Sequence, residues 1–121
     1  MTLGGAAITF IDRNVNATNN QGWTALHISA QNGDTDTLEL LVEYGADITA
    51  KNTDENYAGW TALHFAAKWG TTRQVEYLLM RGADPNARTK DGKRPIDLAN
   101  ENTGFDDGNI GVIPFLERFE E

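Results

Sequence analysis

The stretch Gly22-Trp23-Thr24-Ala25-Leu26-His27 returns, residue for residue, as Gly59-Trp60-Thr61-Ala62-Leu63-His64. A worn copy follows at Gly92-Lys93-Arg94-Pro95-Ile96-Asp97, with Asp97 in place of the histidine. The downstream halves repeat as well. Tyr44-Gly45-Ala46-Asp47-Ile48-Thr49-Ala50 is matched by Arg81-Gly82-Ala83-Asp84-Pro85-Asn86-Ala87, and Asn14-Val15-Asn16-Ala17 reads as the tail of an earlier copy. The step from Gly59 to Gly92 is 33 residues and the step from Gly22 to Gly59 is 37, so four residues are inserted, assigned to 51–54. Self-similarity at such a period marks units that are too small to bury their own apolar face and that stack to make one core.

Each unit reads as a pair of short helices. Thr24 and Thr61 stand where a hydroxyl can accept a backbone N–H as an N-cap, which predicts first helices over 25–31 and 62–68. Gly33 and Gly70 follow them, and both are expected to take a left-handed turn. Second helices are predicted over 36–44 and 72–81. Leu38, Leu41 and Val42 there fall at i, i+3 and i+4, and Val75, Leu78 and Leu79 copy the spacing. That spacing makes an apolar stripe on one helix face. Leu41 and Leu78 are accordingly expected to point into the stack. Gly45 and Gly82 end these helices, and the segments 46–59 and 83–92 are rich in turn formers.

The 33-residue period, the Thr-Ala-Leu-His core and the Gly-Ala-Asp ending resemble the ankyrin repeat over nearly the whole chain. The usual Thr-Pro-Leu-His of that family is Thr-Ala-Leu-His here, twice. The resemblance implies an all-α fold, a helix-turn-helix solenoid whose turn-rich segments project as β-turn fingers. The units would be a partial N-terminal repeat at 1–17, full repeats at 18–50 and 55–87 with the insertion at 51–54 between them, and a C-terminal capping repeat at 88–121. The cap would close on an apolar stripe of Val112, Phe115, Leu116 and Phe119, after a glycine- and aspartate-rich loop at 102–111. The resemblance further implies a non-catalytic protein–protein interaction module that binds through its concave face and fingers. The alternative is an interaction fragment of a larger ankyrin-repeat protein whose main activity lies outside this chain.

Composition narrows the chemistry. The chain has 121 residues, a formal net charge of −8, no cysteine and two histidines. Disulfides, thiol nucleophiles and zinc–thiolate sites are therefore excluded. The acidic balance argues against nucleic acid or an anionic membrane as partner, and no apolar run approaches the roughly 20 residues of a membrane helix. No basic residue precedes the apolar start, so no signal peptide is read and the cytoplasm is the expected location. His27 and His64 take equivalent places in adjacent units, about one helix-packing distance (roughly 10 Å) apart and too far to share a metal. The resemblance gives each a hydrogen bond to a neighbouring finger. Phosphate-loop, nucleophile-elbow and zinc-protease motifs are missing. Asp34 and Asp36 suit the positive end of the second helix, and Asp106-Asp107 reads as a turn. The expectation is no catalytic residue, no cofactor, no metal and a monomer.

Partner contact is carried over from the resemblance to the finger and first-helix positions between the core residues. In the first unit these are Thr18, Asn20, Gln21, Trp23, Gln31 and Asn32. The second offers Tyr57, Ala58, Trp60, Lys68 and Trp69, and the third Arg88, Lys90, Asp91, Lys93, Asn100 and Glu101. All three tryptophans fall in this set. Tryptophan and tyrosine dominate interface hot spots, so an exposed ridge of Trp23, Trp60 and Trp69 with Tyr57 is expected to anchor a partner. The other reading lays each ring flat on its own finger. Charge is segregated too: residues 1–67 hold eight acids and two bases, 68–94 seven bases and three acids, and 96–121 seven acids and one base. Arg88, Lys90, Lys93 and Arg94 cluster in the last finger. With Lys68 they suit an acidic or phosphorylated protein segment. The competing reading, which the residues favour, is a solvated finger paired with Asp91 and Asp84. The inserted residues are either part of the binding surface or a tolerated loop insertion.

Overall fold

The computed structural model describes residues 15–101. Five helices run through it: α1 (Ala25–Asn32), α2 (Thr35–Glu43), α3 (Ala62–Trp69), α4 (Thr72–Met80) and α5 (Pro95–Asn100). The bounds of α1 to α4 fall within a residue or so of those read from the repeat; no bounds for α5 are read from the sequence. Among the described residues there is no strand, only an isolated bridge between Thr18 and Thr24. Most of the N-terminal partial repeat, the loop at 102–111 and the stripe of Val112, Phe115, Leu116 and Phe119 lie outside the described residues.

The first helices start where they do because each is locked by a reciprocal cap. Thr24 is extended, its Oγ1 accepts the His27 N–H at 3.2 Å, and its own N–H donates to His27 Nδ1 at 3.0 Å. Thr61 and His64 repeat the pattern. Two donors that would otherwise be orphaned at the helix start are satisfied in this way. In α5, Pro95 takes the first helical position, where its missing N–H costs nothing. Asp97 keeps half of the device: its Oδ2 accepts the Arg94 N–H at 2.8 Å. Asp34 caps α2 through the Thr37 N–H, and Thr71 caps α4 reciprocally with Gln74.

The glycines after the first helices differ. Gly33 is left-handed at φ 72°, as expected. Gly70 is not: its φ is −84°. Space dictates glycine there. A Cβ on Gly70 would lie 2.8 Å from the carbonyl oxygen of Ala30 and 2.8 Å from the Cα of Ala66. The chain passes too close to two other backbones to carry a side chain.

Helices pack as hairpins, α1 on α2 and α3 on α4. The hairpins stack so that α1, α3 and α5 form one row and α2 and α4 another. Small residues at the seams (Ala30, Ala66, Ala67 and Ala99, all fully buried) let the first-row helices approach closely. Leu26, Leu38, Leu63, Val75, Leu78 and Leu98 fill the interior, and Leu41 is buried as expected. Stacking adds polar ties across units. Gln74 Nε2 donates to the Ser29 carbonyl at 3.1 Å, and Tyr77 donates to the Glu39 carbonyl at 3.3 Å.

The loops between hairpins share one hydrogen-bond frame, which locates the insertion. Asn19, Asn52 and Thr89 each donate their N–H to the carbonyl of the residue just before the capping position: Trp23, Trp60 and Lys93, at 3.0, 2.8 and 2.9 Å. Each also accepts an N–H from the finger glycine: Gly22, Gly59 and Gly92, at 3.0, 2.8 and 2.8 Å. The glycine follows three residues later in the first and third fingers but seven residues later in the second. The four additional residues therefore fall between Asn52 and Gly59.

Candidate functional site

The aromatic residues of the fingers converge on one helix face. Phe65, fully buried in the middle of α3, is the hub. Its ring centroid lies 4.8 Å from Trp23, 4.9 Å from Trp60, 5.6 Å from Tyr57 and 6.3 Å from Trp69. Trp69 is one helical turn after Phe65, so the two share a side of α3. Trp60 reaches along that side from the capping loop and stacks on Trp69 at 5.6 Å with the planes 21° apart. Tyr57, supplied by the lengthened second finger, meets Trp23, Trp60 and Trp69 edge-on at 5.3, 5.1 and 5.9 Å. Offset-stacked and edge-to-face pairs of this kind contribute about 0.5–1.5 kcal/mol each beyond the area they bury.

Depth within the cluster divides the residues that the sequence grouped together. Trp69 is 41% exposed, and Tyr57 and Trp60 are half-buried. Trp23 is 9% exposed, so the expected ridge of exposed tryptophans is corrected here: Trp23 lies beneath the surface. The inserted residues bury it. Tyr57 packs against its ring, and its indole N–H donates to Asp54 Oδ2 at 2.9 Å. That hydrogen bond, followed by one from the Asn56 N–H, holds the Asp54 carboxyl below its ordinary range. Phe65 was missed in the sequence. Its counterpart one unit earlier, Ile28, is 41% exposed, so the position faces outward and the rings packed over Phe65 are what bury it, which the sequence around it does not record.

The basic residues flank this face, and most are engaged. Lys68 Nζ is 2.9 Å from Glu101 Oε1 and 5.6 Å from the Trp69 ring centroid. Lys93 Nζ bonds the second oxygen of the same carboxylate, Glu101 Oε2. Arg94 pairs with Asp97 at 3.2 Å, and Arg88 donates to the Gly92 carbonyl at 2.8 Å within its own finger. Lys90 is exposed, and its N–H ties the third finger to the second through the Ala58 carbonyl at 2.9 Å. The expected pairing with Asp91 and Asp84 is replaced by pairing with Glu101 and Asp97. The helical turn of α5 carries those two carboxylates back toward the finger, a proximity that linear distance along the chain does not reveal.

With the paired hairpins, the capped Thr-Ala-Leu-His starts and the hydrogen-bonded fingers described, comparison with known families is decisive. A family model described as ankyrin repeats (3 copies) matches residues 5–89. The chain belongs to the ankyrin-repeat family. No curated protein matches it.

Within the ankyrin stack the two histidines are structural ties. Nδ1 of each accepts a backbone N–H, so the proton sits on Nε2. His27 Nε2 then donates to the Ala50 carbonyl at 3.0 Å, and His64 Nε2 to the carbonyls of Ala87 and Lys93, each at 3.0 Å. Both rings are buried. Burial lowers the pKa of His27 and takes that of His64 down to about 4. Both imidazoles are neutral near pH 7, and their nitrogens are occupied within the stack. Among the described residues, no group of three or more histidine, aspartate or glutamate side chains is placed to hold a metal ion. No helix among them is long and apolar enough to cross a membrane. Ankyrin repeats are generally protein-interaction modules, typically without enzymatic activity.

Proposed function

We propose that this ankyrin stack is a non-catalytic binding module whose protein partner docks across the concave row of first helices and the fingers, anchored on Trp69, Trp60 and Tyr57. The observation that carries the reading is the exposed Trp69 indole, stacked on Trp60 over a buried Phe65. Such a ring is already immobilised, so a partner gains a large contact at little further cost in side-chain entropy. Lys68, Arg88, Lys90 and Lys93 border it and steer an acidic partner. Trp23 serves from below by holding Tyr57 and Phe65 in place. The lengthened second finger belongs to the binding surface because it supplies Tyr57.

Trp69→Ala is the cleanest test, because Trp69 is the most exposed ring of the cluster. Capture from native lysate, followed by affinity measurement on the captured partner, should show a loss of at least ~2 kcal/mol. The same variant should lose less than ~1 kcal/mol of stability, whereas Phe65→Ala should cost ~3–5 kcal/mol. Equal capture by wild type and folded variant would remove the aromatic face as the site.

A further inference from the structure

Beside the indole stack the surface holds a seat for a carboxylate, and the chain fills it with its own. Lys68 from α3 and Lys93 from the third finger close on the two oxygens of Glu101, which follows α5. Three separate elements thus meet at one carboxylate. The seat adjoins the exposed Trp69 side chain, since Lys68 Nζ is 5.6 Å from that ring centroid.

We propose that this seat receives an acidic side chain of the protein partner, with a flat side chain next to it lying on Trp69, and that Glu101 is an internal stand-in which the partner displaces. The proposal rests on the protein-binding reading of the same face and specifies the chemistry of what binds there. Two ammonium groups on one carboxylate define the charge and spacing of the ligand group, because a carboxylate is what they already hold. Exchange is cheap. The Glu101 side chain is 36% exposed and that of Lys93 46% exposed, and exposed ion pairs add little net stability. Lys68 is more enclosed, at 21%, but meets an incoming carboxylate in the same setting as it meets Glu101. Displacement therefore trades one weak pair for another, while the partner adds a ring contact on Trp69 that Glu101 does not make. Lys90 on the same finger keeps the local field positive when Glu101 leaves.

The test is a titration of the isotope-labelled chain with two blocked hexapeptides, one containing a Trp-Glu pair and the other the matching Trp-Gln pair. It is followed by NMR at the Trp69 indole and the Lys68, Lys93 and Glu101 amides. Wild type should bind the Trp-Glu peptide tighter by at least about threefold, the size of an exposed ion-pair contribution. Glu101→Gln is isosteric and should tighten that peptide by a further factor of about three, because the internal competitor is gone. Lys68→Met with Lys93→Met should bind both peptides equally, with the remaining amide spectrum unchanged as evidence of folding. Equal binding of the two peptides to wild type overturns the proposal, as does an absence of binding or an unchanged or weakened affinity in Glu101→Gln. Loss of partner capture in Trp69→Ala without any carboxylate preference would leave the binding face standing and remove only the seat.

Discussion

The indole N–H of Trp23 donates to Asp54 Oδ2 across 2.9 Å, linking the first finger to the residues inserted in the second. The insertion is therefore a lid on a tryptophan that the repeat alone would leave open. Asp54 titrates below its ordinary value chiefly because of this bond. Trp23→Phe keeps the ring and removes the donor, so NMR titration of the Asp54 carboxyl should show its pKa moving back up. Trp23→Ala should in addition cost ~3–5 kcal/mol in denaturant unfolding, as expected for a large buried aromatic. An Asp54 carboxyl that titrates identically in Trp23→Phe would mean that the bond does not persist in solution.

Acid should weaken the stack through His64 before it protonates the carboxylates. The imidazole has a pKa of about 4 in the fold, against 6.5 when unfolded. Between these values the unfolded chain binds more protons, so stability is complete above pH 6.5 and falls as pH drops toward 4. The gap corresponds to roughly 3 kcal/mol over that window. Urea unfolding at pH 7.5, 6, 5 and 4.5 checks the slope. A flat profile in this range would mean that His64 charges freely in the native state.

Gly70→Ala and Gly45→Ala separate two reasons for glycine. Gly45 has φ 99° and open space around its Cα, so alanine there pays only backbone strain, about 1 kcal/mol. Gly70 has an ordinary φ, but its Cβ would press on the backbone of two helices, which should cost about 3 kcal/mol. Thermal or denaturant unfolding of the pair should give that order, and the reverse order would show that the helices part easily at this seam.

Asn52 is buried at the centre of the second finger, and its Nδ2 has no hydrogen-bond partner among the described residues. The equivalent residue of the third finger is Thr89, whose hydroxyl accepts the N–H groups of Asp91 and Lys93 without leaving a donor stranded. An unsatisfied buried donor costs about 1–3 kcal/mol. Asn52→Thr should therefore raise stability by about 1 kcal/mol, after the loss of some packing volume. A fall in the unfolding midpoint would show that the Asn52 amide is satisfied in solution.

Helix positions, caps and the apolar stripes were legible because they depend on residues three or four apart. Thr24 with His27, and Thr61 with His64, are complete local devices, and Leu38, Leu41 and Leu78 lie on faces that helical periodicity alone defines. The ties from His27 and His64 to neighbouring fingers were readable only through the resemblance to the ankyrin repeat, which implies them; nothing near either residue in the chain names the carbonyls of Ala50 or Ala87 as partners. Gly70 was misread because its requirement comes from Ala30 in another unit, and nothing near it in the chain records that approach.

The candidate face was half legible. Residue type and repeat position pointed to Trp60, Trp69, Tyr57 and the basic finger, but not to depth. Trp23 and Trp60 stand in identical six-residue stretches, yet one is sealed and the other half-open. Local sequence is the same at both, so only what packs over each ring can differ: Tyr57 and Asp54 over Trp23, Trp69 over Trp60. The same holds for charge. Composition located the cations, while the return of α5 toward the finger placed Glu101 between Lys68 and Lys93. Periodic, short-range interactions are written in the order of residues. Burial and ion pairing are sums over neighbours from three different units, and those neighbours exist only once the units have stacked.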